Sequence, residues 1–194
     1  MEFYSNIDAE LFYLINRDFA NPFFDWLMPI ITNQHYWMGL SVVVWLALIA
    51  KGGRVGRTVA ILIIPTLVLA QLSSSTWFKP LFARLRPCQA LTDVRLLIDC
   101  IDNYAFPSGH AADSFAAAWL LAYFYKRLTL VFFTLATVVS FSRIYIGVHY
   151  PADVLAGSFL GICCAGLSIV LFNVGNSFYL EKVKQKLTQE GKQD

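Results

Sequence analysis

Long apolar runs separated by short polar breaks dominate the chain, and their spacing predicts helices from end to end. Residues 3–19 place Phe3, Ile7, Leu11, Leu14 and Ile15 at helical spacing, with Asn6, Glu10, Arg17 and Asp18 between them. Those polar groups recur too often for a spanning segment, so an amphipathic helix lying in a membrane interface is expected. Asn21-Pro22 reads as a cap followed by a first-turn proline, which opens a short second helix through Ile31. The competing reading threads residues 11–32 across the bilayer and must then accommodate Arg17, Asp18 and Asp25.

Five longer apolar runs follow. The first covers Tyr36–Ala50 and reaches back to about Asn33; the second runs from about Thr58 to Phe78, with Pro65 as a kink. The third covers Ser108–Tyr125, the fourth runs from Leu128 into Arg143, and the fifth from Pro151 to about Val174. The expected fold class is an all-α integral membrane protein. It is a bundle of five transmembrane helices, six if 11–32 also cross, preceded by N-terminal interfacial amphipathic helices. One domain spans residues 1–194: interfacial helices over 1–32, the transmembrane bundle over 33–178 with its site at the outer face, and a cytoplasmic tail over 179–194.

Composition agrees. Hydrophobic residues make up 57% of the 194 and charged residues 14%, against roughly 45–50% and about 25% in soluble domains. Mean hydropathy is +0.56. A net charge of +2, with no basic run interleaved with aromatics, gives no ground for a nucleic-acid partner. The first thirty residues carry Glu2, Asp8, Glu10, Arg17, Asp18 and Asp25 and do not read as a signal peptide, so later spans are expected to drive insertion. Lysines and arginines at 51–57, at Lys126-Arg127 and in the C-terminal tail (Lys182, Lys184, Lys186, Lys192) fall on one side of the bundle, which becomes cytoplasmic. The connection 79–107 falls on the other side, yet it carries Lys79, Arg84, Arg86 and Arg95. A basic cluster that breaks the orientation rule needs another reason, and anion binding supplies one.

Three segments meet at that outer face: Lys79 to Arg86-Pro87, Phe106-Pro107-Ser108-Gly109-His110, and Ser142-Arg143 through His149 to Asp153. Ser108 suits an N-cap, Gly109 lets a ligand approach the backbone, and a helix N-terminus is an anion site. Arg86 and Arg143 offer bidentate forks, and Lys79 a point charge. Pro151 fits a first helical turn, which leaves His149 just ahead of the helix and Asp153 inside it. The carboxylate can then hold one imidazole nitrogen while the other stays free to react. Asp113, one turn after His110, is expected to be structural or to tune that histidine.

The ordered trio Lys-x6-Arg-Pro, Pro-Ser-Gly-His and Ser-Arg-x5-His-x3-Asp resembles the type 2 phosphatidic acid phosphatase superfamily, with no departure at the motif positions. That superfamily includes undecaprenyl-diphosphate, phosphatidylglycerophosphate and lipid A phosphatases as well as vanadium haloperoxidases. The resemblance implies that His149 is a nucleophile forming a phosphohistidine, oriented by Asp153. It implies that His110 is the acid for the leaving group and then the base for water. Lys79, Arg86, Ser108, Gly109 and Arg143 would bind phosphate, without metal or cofactor. No His/Cys/carboxylate set in the sequence looks like a complete metal site.

The implied activity is a metal-independent phosphatase of lipid monophosphates or diphosphates. Undecaprenyl diphosphate is favoured for so compact a chain; phosphatidylglycerophosphate, lipid A 1-phosphate and phosphatidic acid stay open. The expected setting is a bacterial inner membrane, with the site facing the periplasm or outside. Expected partners are the lipid substrate and the bilayer, with no obligate protein partner. A haloperoxidase fits poorly with five apolar spans, and a lipid-phosphate binder or translocator would not need His149, Asp153 and His110 together.

Cys88 and Cys100 lie in the polar connection and can pair in an oxidising compartment. Cys163 and Cys164 read as packing residues. Arg84 and Arg95, off the motif pattern, are expected to be solvated or to meet lipid headgroups, His35 to be interfacial, and Trp26, Trp37, Trp77 and Trp119 to form aromatic belts or packing.

Overall fold

The computed structural model describes residues 2–100 and 102–190. Helix α1 (Glu2–Tyr13) passes through a π-helical turn (Leu14–Asp18) towards α2 (Pro22–Thr32), and α3 (Gln34–Lys51) is followed by α4 (Gly53–Leu72). A π-helical stretch (Ser73–Phe78) carries α4 on into the short α5 (Lys79–Phe82), and α6 (Pro87–Ala90) sits in the polar connection. Helices α7 (Gly109–Phe124), α8 (Thr129–Tyr145) and α9 (Pro151–Glu190) complete the order. No strand occurs among the described residues.

The sequence reasons for these boundaries are visible. Asn21 Oδ1 accepts the Phe24 amide at 3.0 Å with Pro22 at the first helical position, and Asn33 Oδ1 accepts the His35 amide at 3.0 Å to open α3. Small residues then set how closely the main helices pack. A Cβ on Gly157 would stand 2.3 Å from the Ser108 carbonyl oxygen, and one on Gly161 would stand 2.1 Å from that of Ala112. Glycine four residues apart on α9 therefore lets its backbone touch α7. Ala70, Ala112, Ala116, Leu120, Cys164, Ala165 and Ile169 fill the seam among α4, α7 and α9. That seam fixes the start of α7 beside the first turn of α9.

Outward faces are apolar. Val43 is 63% exposed, Ile61 70% and Leu130 80%. Three helical stretches among the described residues are long and apolar enough to cross a membrane: Gly53–Ala90, Lys126–Tyr145 and Pro151–Lys182. The sequence pattern predicts five. Of the two others, α7 with 16 residues falls short of the roughly 20 that a bilayer core asks for, and α3 with 18 carries polar Gln34, His35 and Lys51 at its ends.

The N-terminal segment packs against the bundle. Phe12 is fully buried with Ala111, Ile144, Tyr150 and Val154, and Met28 packs with Tyr145, Ile146 and Val148. Its polar groups have protein partners: Asn16 Nδ2 donates to the carbonyl oxygens of Arg95 and Tyr145, each at 2.8 Å. Tyr145 Oη donates to Asp25 at 2.6 Å. That hydrogen bond holds the Asp25 carboxyl below its usual pKa, with Arg95 reinforcing it.

Candidate active site

The turn between α8 and α9 is built around Gly147, whose φ of +94° disfavours any residue with a side chain. A Cβ there would also stand 2.7 Å from the Arg95 carbonyl oxygen. The turn delivers His149, 1% exposed, to the entrance of α9. Pro151 takes the first helical position, so Asp153 falls inside the first turn. Asp153 Oδ2 accepts the Tyr150 amide at 2.9 Å and lies 3.3 Å from His149 Nδ1.

Arg86 Nη1 is 3.1 Å from His149 Nε2 and donates to the Val148 carbonyl at 2.8 Å. Because guanidinium can only donate, Nε2 must be the acceptor and Nδ1 must carry the proton given to Asp153. Two neighbours thus select one tautomer, with its lone pair on Nε2. Burial, then the positive charges of Arg86, Arg143 and Lys79, push the His149 pKa well below the ordinary histidine value. The ring is neutral.

The cations converge on this imidazole. Arg86, 1% exposed, gives Nε to the Asn103 carbonyl at 2.9 Å, and its Nη2 bonds Asn103 Oδ1. Arg143, 3% exposed, donates from Nη1 to Thr32 Oγ1 at 2.5 Å, while its Nε is buried without a partner among the described residues. Lys79, at the head of α5, lies within electrostatic reach of Arg86, Arg143 and Asp153. Ser108 departs from expectation. Its extended backbone caps α7, yet its buried hydroxyl makes no capping bond and has no partner among the described residues. The Ser108 amide donates to the Asp153 carbonyl oxygen at 2.9 Å, tying the start of α7 to the first turn of α9. A free hydroxyl, a free guanidinium N–H and the N-terminal amides of α7 at Gly109 form a set of donors suited to an anion.

His110 and Arg143 line one open cavity of about 450 Å³ together with Pro29, Thr32, Asn33, His35, Tyr36 and Ile98. His35, which the sequence pattern leaves at an interface, belongs to that wall. Asp113 does not join the histidine: no hydrogen bond to His110 forms, and its Oδ1 is buried without a partner among the described residues. Cys88 and Cys100 are joined, with Sγ–Sγ 2.02 Å and Cα–Cα 6.2 Å, at the base of the segment that carries Asn103. Cys163 is exposed and Cys164 buried.

Arg84 and Arg95 differ from expectation. Rather than meeting solvent, Arg84 reaches two carboxylates, Asp153 Oδ1 at 2.8 Å and Asp8 Oδ2 at 2.6 Å, and Arg95 pairs with Asp25 at 2.7 Å. Asp8, Thr32, Arg84 and Asn103 are the contributors that sequence reasoning missed. Arg84 carried a positional signal, since it lies inside the Lys79–Arg86 segment.

A second cavity, about 430 Å³ and lined by Phe78, Phe82, Phe106, Pro107, Phe159 and Leu160 among others, is wholly apolar in character. It adjoins the site through Lys79 and Ser108, the next residues in sequence after Phe78 and Pro107.

Residues 55–176 match the family model described as the PAP2 superfamily. A lipid A 4'-phosphatase of Bacteroides thetaiotaomicron is 31% identical over 169 residues, covering 83% of this chain and 75% of that protein. An undecaprenyl-diphosphatase of Sulfolobus acidocaldarius is 30% identical over 181 residues, 93% of this chain and 84% of its own length. Among solved structures, Aquifex aeolicus LpxE is similar with a TM-score of 0.71 at 28% identity, covering 83% of this chain and 93% of that one. A PAP2 type phosphatidylglycerolphosphate phosphatase from Bacillus subtilis shares the fold, with a TM-score of 0.66 at 20% identity over 89% of this chain and 88% of that one. The three segments that carry the cations and both histidines all fall inside the matched stretch, and the chain belongs to the PAP2 superfamily.

Proposed function

We propose that this lipid phosphatase works through a phosphohistidine at His149, with undecaprenyl diphosphate as its favoured substrate. One observation carries the mechanism: Arg86 and Asp153 hold His149 from opposite nitrogens, leaving a neutral ring with its lone pair on Nε2. Nε2 attacks the terminal phosphorus as the bond to the leaving oxygen breaks, and His110 supplies that oxygen with a proton. Water then attacks the phosphohistidine, gives its proton to His110, and releases inorganic phosphate as the phosphorus–nitrogen bond breaks. Asp153 keeps the Nδ1 proton throughout, and Lys79, Arg86, Arg143, Ser108 and the Gly109 amide meet the phosphoryl oxygens. The charge that a metal ion would neutralise is met by these three cations.

A lipid headgroup can enter without leaving the bilayer if α3 and α7 cross the membrane with the three longer stretches. Support comes from α3, which is apolar and has no buried residue, as expected of a helix surrounded by lipid. The basic turns at Lys51 and at Lys126-Arg127 then share the cytoplasmic side, and the site faces the periplasm or outside of a bacterial inner membrane. Helices α1 and α2 lie at that outer surface as the bundle's interfacial cover. Relatives named for lipid A and for undecaprenyl diphosphate support a lipid phosphate in general, and the scarcity of polar structure beside the site for recognising a larger headgroup favours the second.

The test is phosphate release in detergent, with chelator present, from undecaprenyl diphosphate, phosphatidylglycerophosphate, lipid A and phosphatidic acid. Release should be fastest from undecaprenyl diphosphate and abolished in His149→Ala. Undiminished turnover in that variant overturns the nucleophile assignment, and faster release from another lipid overturns the substrate.

A further inference from the structure

Asp153 is fully buried, and its two oxygens have separate duties. Oδ2 faces His149 Nδ1 and accepts the Tyr150 amide; Oδ1 accepts from Arg84 Nη1 at 2.8 Å. A buried carboxylate without a countercharge is costly, and Arg84 is the cation in direct contact with it. Arg84 is itself held on two further sides. Its guanidinium lies 3.9 Å over the ring of Tyr150, and its Nη2 donates to Asp8 Oδ2 at 2.6 Å. Asp8 Oδ1 then accepts the Ala152 amide at 2.9 Å, so α1 grips the first turn of α9 directly as well as through the arginine.

We propose that Arg84 and Asp8 are positioning residues, which hold the Asp153 carboxylate in the rotamer that orients His149. This rests on the reading of His149 as nucleophile. Among the described residues neither side chain bonds to the groups assigned to phosphate, so the relay Asp8–Arg84–Asp153–His149 governs the aim of Nε2 and not the grip on the anion. Without Arg84, the Tyr150 amide alone holds the carboxylate, which can then turn from Nδ1 and loosen the imidazole's orientation. The segment before the bundle thereby becomes part of the catalytic machinery.

The experiment compares Arg84→Met, Arg84→Lys, Asp8→Asn and His149→Ala in the full chain, in detergent. It reads kcat, KM, the inhibition constant of inorganic phosphate, and the thermal midpoint. Arg84→Met should lower kcat by about 10²-fold, the scale of a misplaced reacting group, with KM and phosphate inhibition unchanged. Arg84→Lys should recover part of that loss, because one ammonium keeps the charge without the fork that reaches both carboxylates. Asp8→Asn, which keeps the Arg84–Asp153 contact, should lose about tenfold, as expected for one charge-assisted hydrogen bond. Wild-type kcat in folded Arg84→Met, or in folded Asp8→Asn should Arg84→Met not fold, overturns the relay. A phosphate inhibition constant that weakens in step with kcat also overturns it, since the pocket rather than the aim has then changed. Turnover surviving in His149→Ala instead removes the nucleophile reading, whatever Arg84 does.

Discussion

Arg86 Nη1 stands 3.1 Å from His149 Nε2, the nitrogen proposed to attack phosphorus. The arginine thus holds the tautomer and also covers the proposed nucleophile. An arriving phosphoryl group offers the guanidinium charged oxygens in place of a neutral ring nitrogen, and the stronger acceptor should draw Nη1 away. Arg86 is pinned on its other edge by Asn103, through both the carbonyl and the side-chain oxygen, so this exchange happens over a short arc.

Asn103 therefore sets how Arg86 approaches the substrate. Asn103→Ala keeps the backbone carbonyl bond and removes the side-chain acceptor. Losing the oxygen that accepts from both Nε and Nη2 of Arg86 should lower kcat/KM by at least about tenfold, with the fold intact. Phosphate-release kinetics beside a thermal scan check this. Wild-type kcat/KM would show that the remaining carbonyl contact suffices.

What could be read from the sequence follows from distance along the chain. His149 and Asp153 are one helical turn apart, so the pairing is a local consequence of Pro151 opening a helix. Ser108 and Gly109 declare a helix start in the same local way. Thr32 reaches Arg143 across 111 positions, and Asp8 reaches Ala152 across 144. Those contacts exist only once α1 and α2 have packed on α8 and α9, and no spacing announces them. In the sequence Asp8 counts only against a signal peptide, and Asp25 only there and against a span, yet each pairs with an arginine of the 79–107 connection. Two acids and two surplus cations beside a membrane could have suggested that pairing, because unpaired charge is expensive there. Spans are marked in a different way. Apolar runs locate α3 and α7, but α7 has only 16 residues, and Gln34, His35 and Lys51 dilute the apolar character of α3 at its ends.

The Cys88–Cys100 link closes a segment with a sequence separation of 12. Closing a loop of that size restricts the unfolded chain by about 3 kcal/mol in the entropic account. Reduction should therefore lower the thermal midpoint, and a Cys88→Ser, Cys100→Ser double variant should match the reduced protein and be indifferent to reductant. Mass spectrometry after alkylation should show two more labels with reductant than without it. Finding both thiols free in protein from an oxidising preparation would sink the link.

Acid should weaken the fold through His149. The ring stays neutral in the folded protein because burial, then Arg86, Arg143 and Lys79, hold its pKa well below the ordinary value. In the unfolded chain the same group titrates near about 6.5. Below that pH the unfolded state binds a proton that the folded site refuses. Stability then falls as pH falls, by up to about 1.4 kcal/mol per pH unit, until the folded-state pKa is reached. Above about pH 7 this group contributes no pH dependence, because both states are neutral. Thermal midpoints of the detergent-solubilised protein between about pH 8 and 5.5 should drop on the acid side. In His149→Gln, where position 149 cannot titrate, the drop should be shallower, with the remainder belonging to other groups. Equal acid slopes in the two proteins would mean that His149 takes up a proton in the folded state as readily as in the unfolded one, and the neutral nucleophile would be lost with it.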